Sequence, residues 1–168
     1  MVLAWFFSIS KRPSMEKYAE LQVYSYFSFL RGASSPEELI SRASELGLSA
    51  IALTDYNSVS GIVRAHRVAK KVGIQFIPAT RLEVKDGPSI LCYPTSRSAY
   101  GRMIRLLSHG KKNVNKGQFS LILSDILEGL KFQEKEDQVI VLPLLNIINY
   151  NLKSILYELK SKIKKNLY

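Results

Sequence analysis

The chain has 168 residues, 46% apolar and 23% charged, which suits one packed domain, is too short for two ordinary ones and excludes wholesale disorder. No apolar run reaches the roughly 18 residues that cross a bilayer. A single cysteine excludes an internal disulfide framework and fits a reducing compartment, so a cytoplasmic protein is expected. With only two histidines beside that cysteine, the composition also argues against a zinc site built from soft ligands.

The net charge of +10 is concentrated in two stretches. Arg97 to Ser124 holds six basic residues (Arg97, Arg102, Arg105, Lys111, Lys112 and Lys116) and no acid. Tyr150 to Tyr168 holds five lysines and one glutamate, and the remainder balances at 13 basic and 13 acidic residues. These stretches are candidates for acidic partners, phosphates or anionic lipid, and the first for binding nucleic acid. The plain alternative is a pair of solvated helix faces.

Val2 to Ile9 is apolar but short, and Lys11 and Arg12 follow it, the reverse of a secretory signal. Residues 1–14 read as a leader without an assigned role, with Met15 a candidate start just ahead of the organised pattern. Residues 15–143 read as the folded domain and 144–168 as a tail.

Ala19 to Ser25 reads as a strand. Ser35-Pro-Glu-Glu38 is a helix start: the serine oxygen caps a free backbone N–H, proline suits the first turn, and Glu38 completes a capping box. Leu39, Ala43 and Leu46 share a face, and Gly47 stops the helix. Ser49 to Thr54 is a short apolar strand covered on both sides. Ser58 to Val72 reads as a helix ending at Gly73. Ile74 to Ala79 is a buried strand, extended by Leu82 to Val84. Lys85-Asp-Gly-Pro88 is a turn. Ser89 to Tyr93 is a strand broken by Pro94, Ser98 to Ser108 a helix stopping at Gly110, and Val114 to Gln118 a basic loop. Ser124 is placed to cap a short helix reaching Leu130, and Gln138 to Leu142 is a last strand. The alternation predicts an α/β fold of parallel strands with crossover helices. No Gly-rich phosphate loop is present. In the tail, Leu152, Ile155, Leu159 and Ile163 form one stripe of a basic amphipathic helix. It suits packing on the domain, or else a protein partner or a membrane surface.

The run from Tyr18 to Leu39 closely resembles the start of the error-prone DNA polymerases, relatives of the bacterial replicative polymerase alpha subunit. The likeness continues through Thr54-Asp-Tyr-Asn57, Gly61-Ile-Val-Arg-Ala-His66, Asp86 to Thr95, Ala99-Tyr-Gly-Arg102 and Arg105 to Lys112. It covers Tyr18 to about Pro143. The resemblance implies a PHP (polymerase and histidinol phosphatase) domain: a distorted β/α barrel, here partial, whose strand ends can hold a cluster of metal ions. Active members hydrolyse phosphoesters there, with divalent metal such as magnesium or manganese neutralising phosphate and lowering the pKa of the attacking water.

The chain departs from that pattern. Where the family has His-x-His on the first strand, Gln22 and Tyr24 stand. Arg31 replaces an acidic residue before Gly32. Asp55 is retained, but Tyr56 replaces the histidine beside it. Arg81 replaces a glutamate at the third strand's end. Gln22, Arg31 and Arg81 also resemble a polymerase subgroup with a degenerate PHP domain; Tyr24, Tyr26 and Tyr56 look individual. A guanidinium about 4 Å from a metal adds roughly 4 kcal/mol of repulsion per charge pair near a surface, so no metal, no cofactor and no catalytic residue is expected. The polymerase carboxylates of full-length relatives lie in regions this chain does not carry.

The remaining candidates have ordinary roles. His66 is expected at the core or its boundary, His109 at a helix end where a cation suits the dipole, and Cys92 as an inert core thiol. Asp55 is expected to cap the turn with Asn57. Three functions follow: a silent PHP-like domain with a structural or interaction role, a phosphoesterase with unusual ligands, or a basic module acting through the tail helix.

Overall fold

A computed structural model describes residues 18–112, 114–130, 138–143, 150–163 and 167–168; the leader lies outside them. Their elements are β1 (Ala19–Val23), α1 (Pro36–Glu45), β2 (Ala50–Leu53), α2 (Ile62–Val72), β3 (Gln75–Pro78), β4 (Thr80–Leu82), β5 (Ile90–Pro94), α3 (Arg97–Lys112), α4 (Leu123–Gly129), β6 (Gln138–Val141) and α5 (Tyr150–Ile163).

The first half follows the expected α/β plan. Strands β1, β2 and β3 lie side by side and parallel, and α1 and α2 are the crossovers between them. Ser35 caps α1 as its sequence demands: its Oγ accepts the Glu38 N–H at 3.2 Å, and Glu38 accepts the Ser35 N–H at 2.7 Å. Ile40, Ala43, Ile51, Leu53, Ala65 and Ala69 bury together between the helices and this sheet.

The second half departs from the all-parallel expectation. Strands β4, β5 and β6 form an antiparallel sheet. The Lys85–Pro88 turn is too short for a crossover, so it returns β5 alongside β4 as a hairpin. The two sheets meet where Tyr56 bridges Arg81: the Asn57 N–H donates to the Arg81 carbonyl at 2.8 Å, and the Arg81 N–H to the Asp55 carbonyl at 3.0 Å. Ala52, Ala79, Leu91 and Tyr93 fill the space behind that junction.

Helix boundaries differ from their expected places in α2, which begins at Ile62 and not at Ser58, and in α3 and α4. Helix α3 runs past Gly110 to Lys112. A Cβ on Gly110 would lie 2.6 Å from the Phe119 ring, so this glycine admits a close approach and does not stop the helix. The Ser120 N–H donates to the Gly110 carbonyl at 2.9 Å and fastens the following loop there. Helix α4 begins at Leu123, one residue before the expected serine cap. Asp125 accepts the Ile122 N–H at 3.0 Å and Asp86 the Leu123 N–H at 2.8 Å, so two carboxylates satisfy this helix start.

The tail belongs to the domain. Leu159 and Ile163 are buried in the cluster that contains Leu82, Ile90, Met103 and Ile140. Beyond the helix, the Tyr168 N–H donates to the Ile140 carbonyl at 2.9 Å and the Leu142 N–H to the Tyr168 carbonyl at 2.8 Å. The last residues thereby cover the outer edge of β6, which would otherwise present unpaired backbone groups. No helix of the described residues is long and apolar enough to cross a membrane.

Candidate functional site

The C-terminal ends of β1 and β2 and the start of the second sheet converge on one place, where open parallel sheets commonly bind ligands. All five substituted positions named from the resemblance meet there. Gln22 donates to the Tyr24 hydroxyl at 2.5 Å. Arg81 donates to the same hydroxyl at 2.6 Å and twice to Ser89 Oγ, at 2.6 and 2.9 Å. The Tyr24 and Tyr56 rings lie with centroids 5.0 Å apart. The Arg31 guanidinium sits 3.7 Å from the Tyr56 ring centroid and that of Arg81 4.9 Å from it, both in cation–π range. Burial pushes the Tyr24 phenol up, but hydrogen bonds with Gln22 and Tyr56 and the positive charge of Arg81 outweigh it and hold Tyr24 below its ordinary value.

Asp55 sits beside this cluster with its carboxylate engaged by the Ser25–Ser28 loop. It is 1% exposed and accepts the Ser25 N–H at 2.7 Å, the Ser25 hydroxyl at 2.7 Å and the Ser28 hydroxyl at 2.6 Å. The expected turn cap with Asn57 is not formed. A carboxylate holding three donors locks the Ser25–Ser28 loop onto β2 instead. Asn57 exchanges hydrogen bonds with Glu83 at 2.9 Å each, and Glu83 pairs with Arg31 at 2.9 Å. No motif in the sequence marks Ser25, Ser28 or Glu83; Glu83 falls only within the run Leu82 to Val84 that extends the Ile74 to Ala79 strand.

The donor set does not fit a metal cluster. The Arg31 and Arg81 guanidinium groups bring two positive charges into the cluster, and the Asp55 oxygens are engaged by serines. Among the described residues no three His, Cys, Asp or Glu side chains are grouped to hold an ion.

The basic segment divides. Arg97, Arg105, Lys111, Lys112 and Lys116 are exposed. Arg102 is 6% exposed, and its Nε donates to the Leu130 carbonyl at 3.1 Å, where it satisfies the end of α4. It is a structural cation with no access to a nucleic acid. His66 is exposed, contrary to the expected core or boundary place, because its side of α2 faces away from Ala65 and Ala69. His109 lies in the last turn of α3, 3.8 Å from Asp125. Cys92 is fully buried beside Gln138, whose Nε2 lies 2.8 Å from its sulfur; burial pushes its thiol up to about 12.

Residues 20–154 match the PHP domain family. The chain belongs to that family. Among its relatives, the error-prone DNA polymerase of Caulobacter vibrioides is 50% identical over 112 residues, 66% of this chain and 10% of the polymerase. That of Rhodopirellula baltica is 46% identical over 112 residues, 67% of this chain and 10% of that polymerase. This PHP chain therefore spans about a tenth of the length of these polymerases. Among solved structures, a putative metal-dependent phosphoesterase from Bifidobacterium adolescentis superposes with a TM-score of 0.60 at 13% identity, covering 87% of this chain and 75% of that one. An amidohydrolase from Chromobacterium violaceum, solved with bound sulfate and no metal, gives 0.62 at 16% identity, covering 89% and 75%. These two likenesses establish the PHP-type α/β fold, of which the chain carries a part.

Proposed function

We propose that this PHP domain is a non-catalytic scaffold of the kind carried by error-prone DNA polymerases, and that it acts in the cytoplasm in DNA replication and repair. The observation that carries this reading is the interlocked set at the strand ends. Gln22, Tyr24, Tyr56, Arg31 and Arg81 bind one another where a phosphoesterase would need converging anionic and imidazole ligands. Such a cluster stiffens the junction of the two sheets and offers a divalent cation repulsion where a ligand set would offer attraction.

The test is metal content and hydrolysis. Protein purified without chelator is expected to carry no stoichiometric manganese, zinc or iron and to leave a phosphodiester substrate intact with manganese added. Hydrolysis that a chelator abolishes and manganese restores would establish the alternative, a PHP phosphoesterase with unusual ligands.

A second reading is favoured by the exposed cations of α3 and its following loop. Arg97, Arg105, Lys111, Lys112 and Lys116 would contact nucleic-acid phosphates electrostatically, with affinity falling steeply as salt rises. Binding that ignores salt would remove it. A protein partner through the tail is left only the outward side of α5, where Tyr157 is 76% exposed, because Leu159 and Ile163 are turned into the core.

A further inference from the structure

A cleft of about 550 Å³ opens beside the arginine–tyrosine cluster, between the Phe27–Arg31 loop and the Lys111–Phe119 segment. Its volume lies within the roughly 300–1,000 Å³ of small-ligand sites. Two chemistries share its walls. Arg31, Lys111 and Lys116 face one acid, Glu83, an excess of two positive charges. Lys111 and Lys116 are exposed and make no ion pair among the described residues. The second chemistry is aromatic: Phe29, 83% exposed, together with Tyr56 and Phe119.

Both walls are held in place. Asp55 fixes the base of the Phe27–Arg31 loop through Ser25 and Ser28. Gly110 seats the Phe119 ring and fastens the far loop through Ser120. A bare anion would leave the rings unused, and an apolar ligand would leave the cations unused. A planar base carrying a phosphate uses both, since ring faces accept any base by stacking and ammonium and guanidinium groups bind phosphate oxygens.

We propose that this cleft binds a nucleotide phosphate without metal, Lys111, Lys116 and Arg31 taking the phosphate and Phe29 and Phe119 the base. The inference does not rest on the scaffold reading, and a failure here leaves the metal-content test untouched.

The experiment is calorimetric titration of the full chain with dTMP in excess chelator at low salt. Saturable one-to-one binding is expected. The Lys111→Ala/Lys116→Ala variant is expected to bind roughly tenfold more weakly, from the loss of charge-assisted contacts. Phe29→Ala is expected to weaken dTMP while leaving inorganic phosphate unchanged. All three side chains are exposed, so these variants keep the fold. No saturation at millimolar dTMP overturns the proposal, as does a loss seen equally in an Arg97→Ala/Arg105→Ala variant outside the cleft. A 5′-phosphorylated oligothymidylate separates the sources: much tighter binding than dTMP identifies a strand end, equal binding a free nucleotide, and either supports the site.

Discussion

Asp55→Ala tests whether the last ligand-type residue is a structural keystone. The native carboxylate is 1% exposed and accepts three hydrogen bonds of 2.6–2.7 Å from Ser25 and Ser28. Hydrogen bonds to a charged group contribute about 1.5–3 kcal/mol each before the cost of burying the charge is subtracted. After substitution the two hydroxyls can rotate toward other acceptors, but the Ser25 N–H is fixed by the backbone and is left buried without a partner. That orphan alone costs about 1–3 kcal/mol, and breaking a buried charged network typically costs about 3–5. The expected loss is therefore about 3 kcal/mol, a large part of the roughly 5–15 kcal/mol by which a domain is stable. Urea unfolding followed by far-UV circular dichroism measures it. Added manganese is expected to change neither midpoint. A loss below about 1 kcal/mol, or a native protein stabilised by manganese where the variant is not, would refute the keystone argument and return Asp55 to metal binding.

The other expectations can be checked with the same protein. Gly32→Ala would place a Cβ 2.2 Å from the Ser25 carbonyl oxygen, a backbone atom that cannot yield, and should cost about 3 kcal/mol in thermal unfolding, the upper end for overpacking. Tyr56→Leu removes the ring that both guanidinium groups face and should cost about 1–2 kcal/mol in urea midpoint terms; an unchanged midpoint would show that the cluster is incidental. Leu159→Ala empties a fully buried position of the main core and should lower stability by about 2–5 kcal/mol, whereas a tail that merely rests on the surface would tolerate it. Burial raises the Cys92 thiol from 9.0 to about 12, so its contribution is whole below pH 9 and is lost as pH climbs toward 12. Cys92 should contribute a fall of about 1.4 kcal/mol per pH unit across that window, and Cys92→Ala should flatten the pH profile by that amount.

Local chemistry made the first half of the fold legible. Ser35, Pro36 and Glu38 specify a helix start through backbone hydrogen bonds that no distant residue alters, and the apolar runs around Ala50–Leu53 and Ile90–Pro94 are strands of the sheets. Strand direction is not legible in the second half from periodicity, which does not encode the partner; the short Lys85–Pro88 turn alone carries that information. Gly110 misled for a related reason. Its role depends on Phe119, nine residues on, and a glycine that admits a ring has the same sequence appearance as one that ends a helix. At the site, the resemblance located Gln22, Tyr24, Arg31, Asp55, Tyr56 and Arg81, and they meet in space. Their partners Ser25, Ser28 and Glu83 carry no pattern that separates them from ordinary loop polar residues, and Asn57, expected beside Asp55, pairs with Glu83 instead. Arg102 shows the limit of charge counting: a run of cations marks a surface only where the helix face is exposed.

The arginine–tyrosine cluster also bears on how such a site changes. A metal centre balances protein anions with bound cations. Here the cations are covalent, and the balance comes from Glu83 against Arg31 and from the Tyr24 hydroxyl, the Ser89 hydroxyl and the Tyr56 face against Arg81. Each element depends on another. Tyr56 lies between both guanidinium groups, Arg81 holds Tyr24 in place, and Tyr24 engages Gln22. Placing a histidine at Tyr56 would remove the aromatic face from two cations and add a single ligand directly opposed by them, so it costs stability without creating affinity. Metal binding at this place would require changing Arg31 and Arg81 before, or together with, the addition of ligands. These side chains therefore form one coupled unit, and the effects of changing them should be read in double-mutant cycles and not as a sum of single changes.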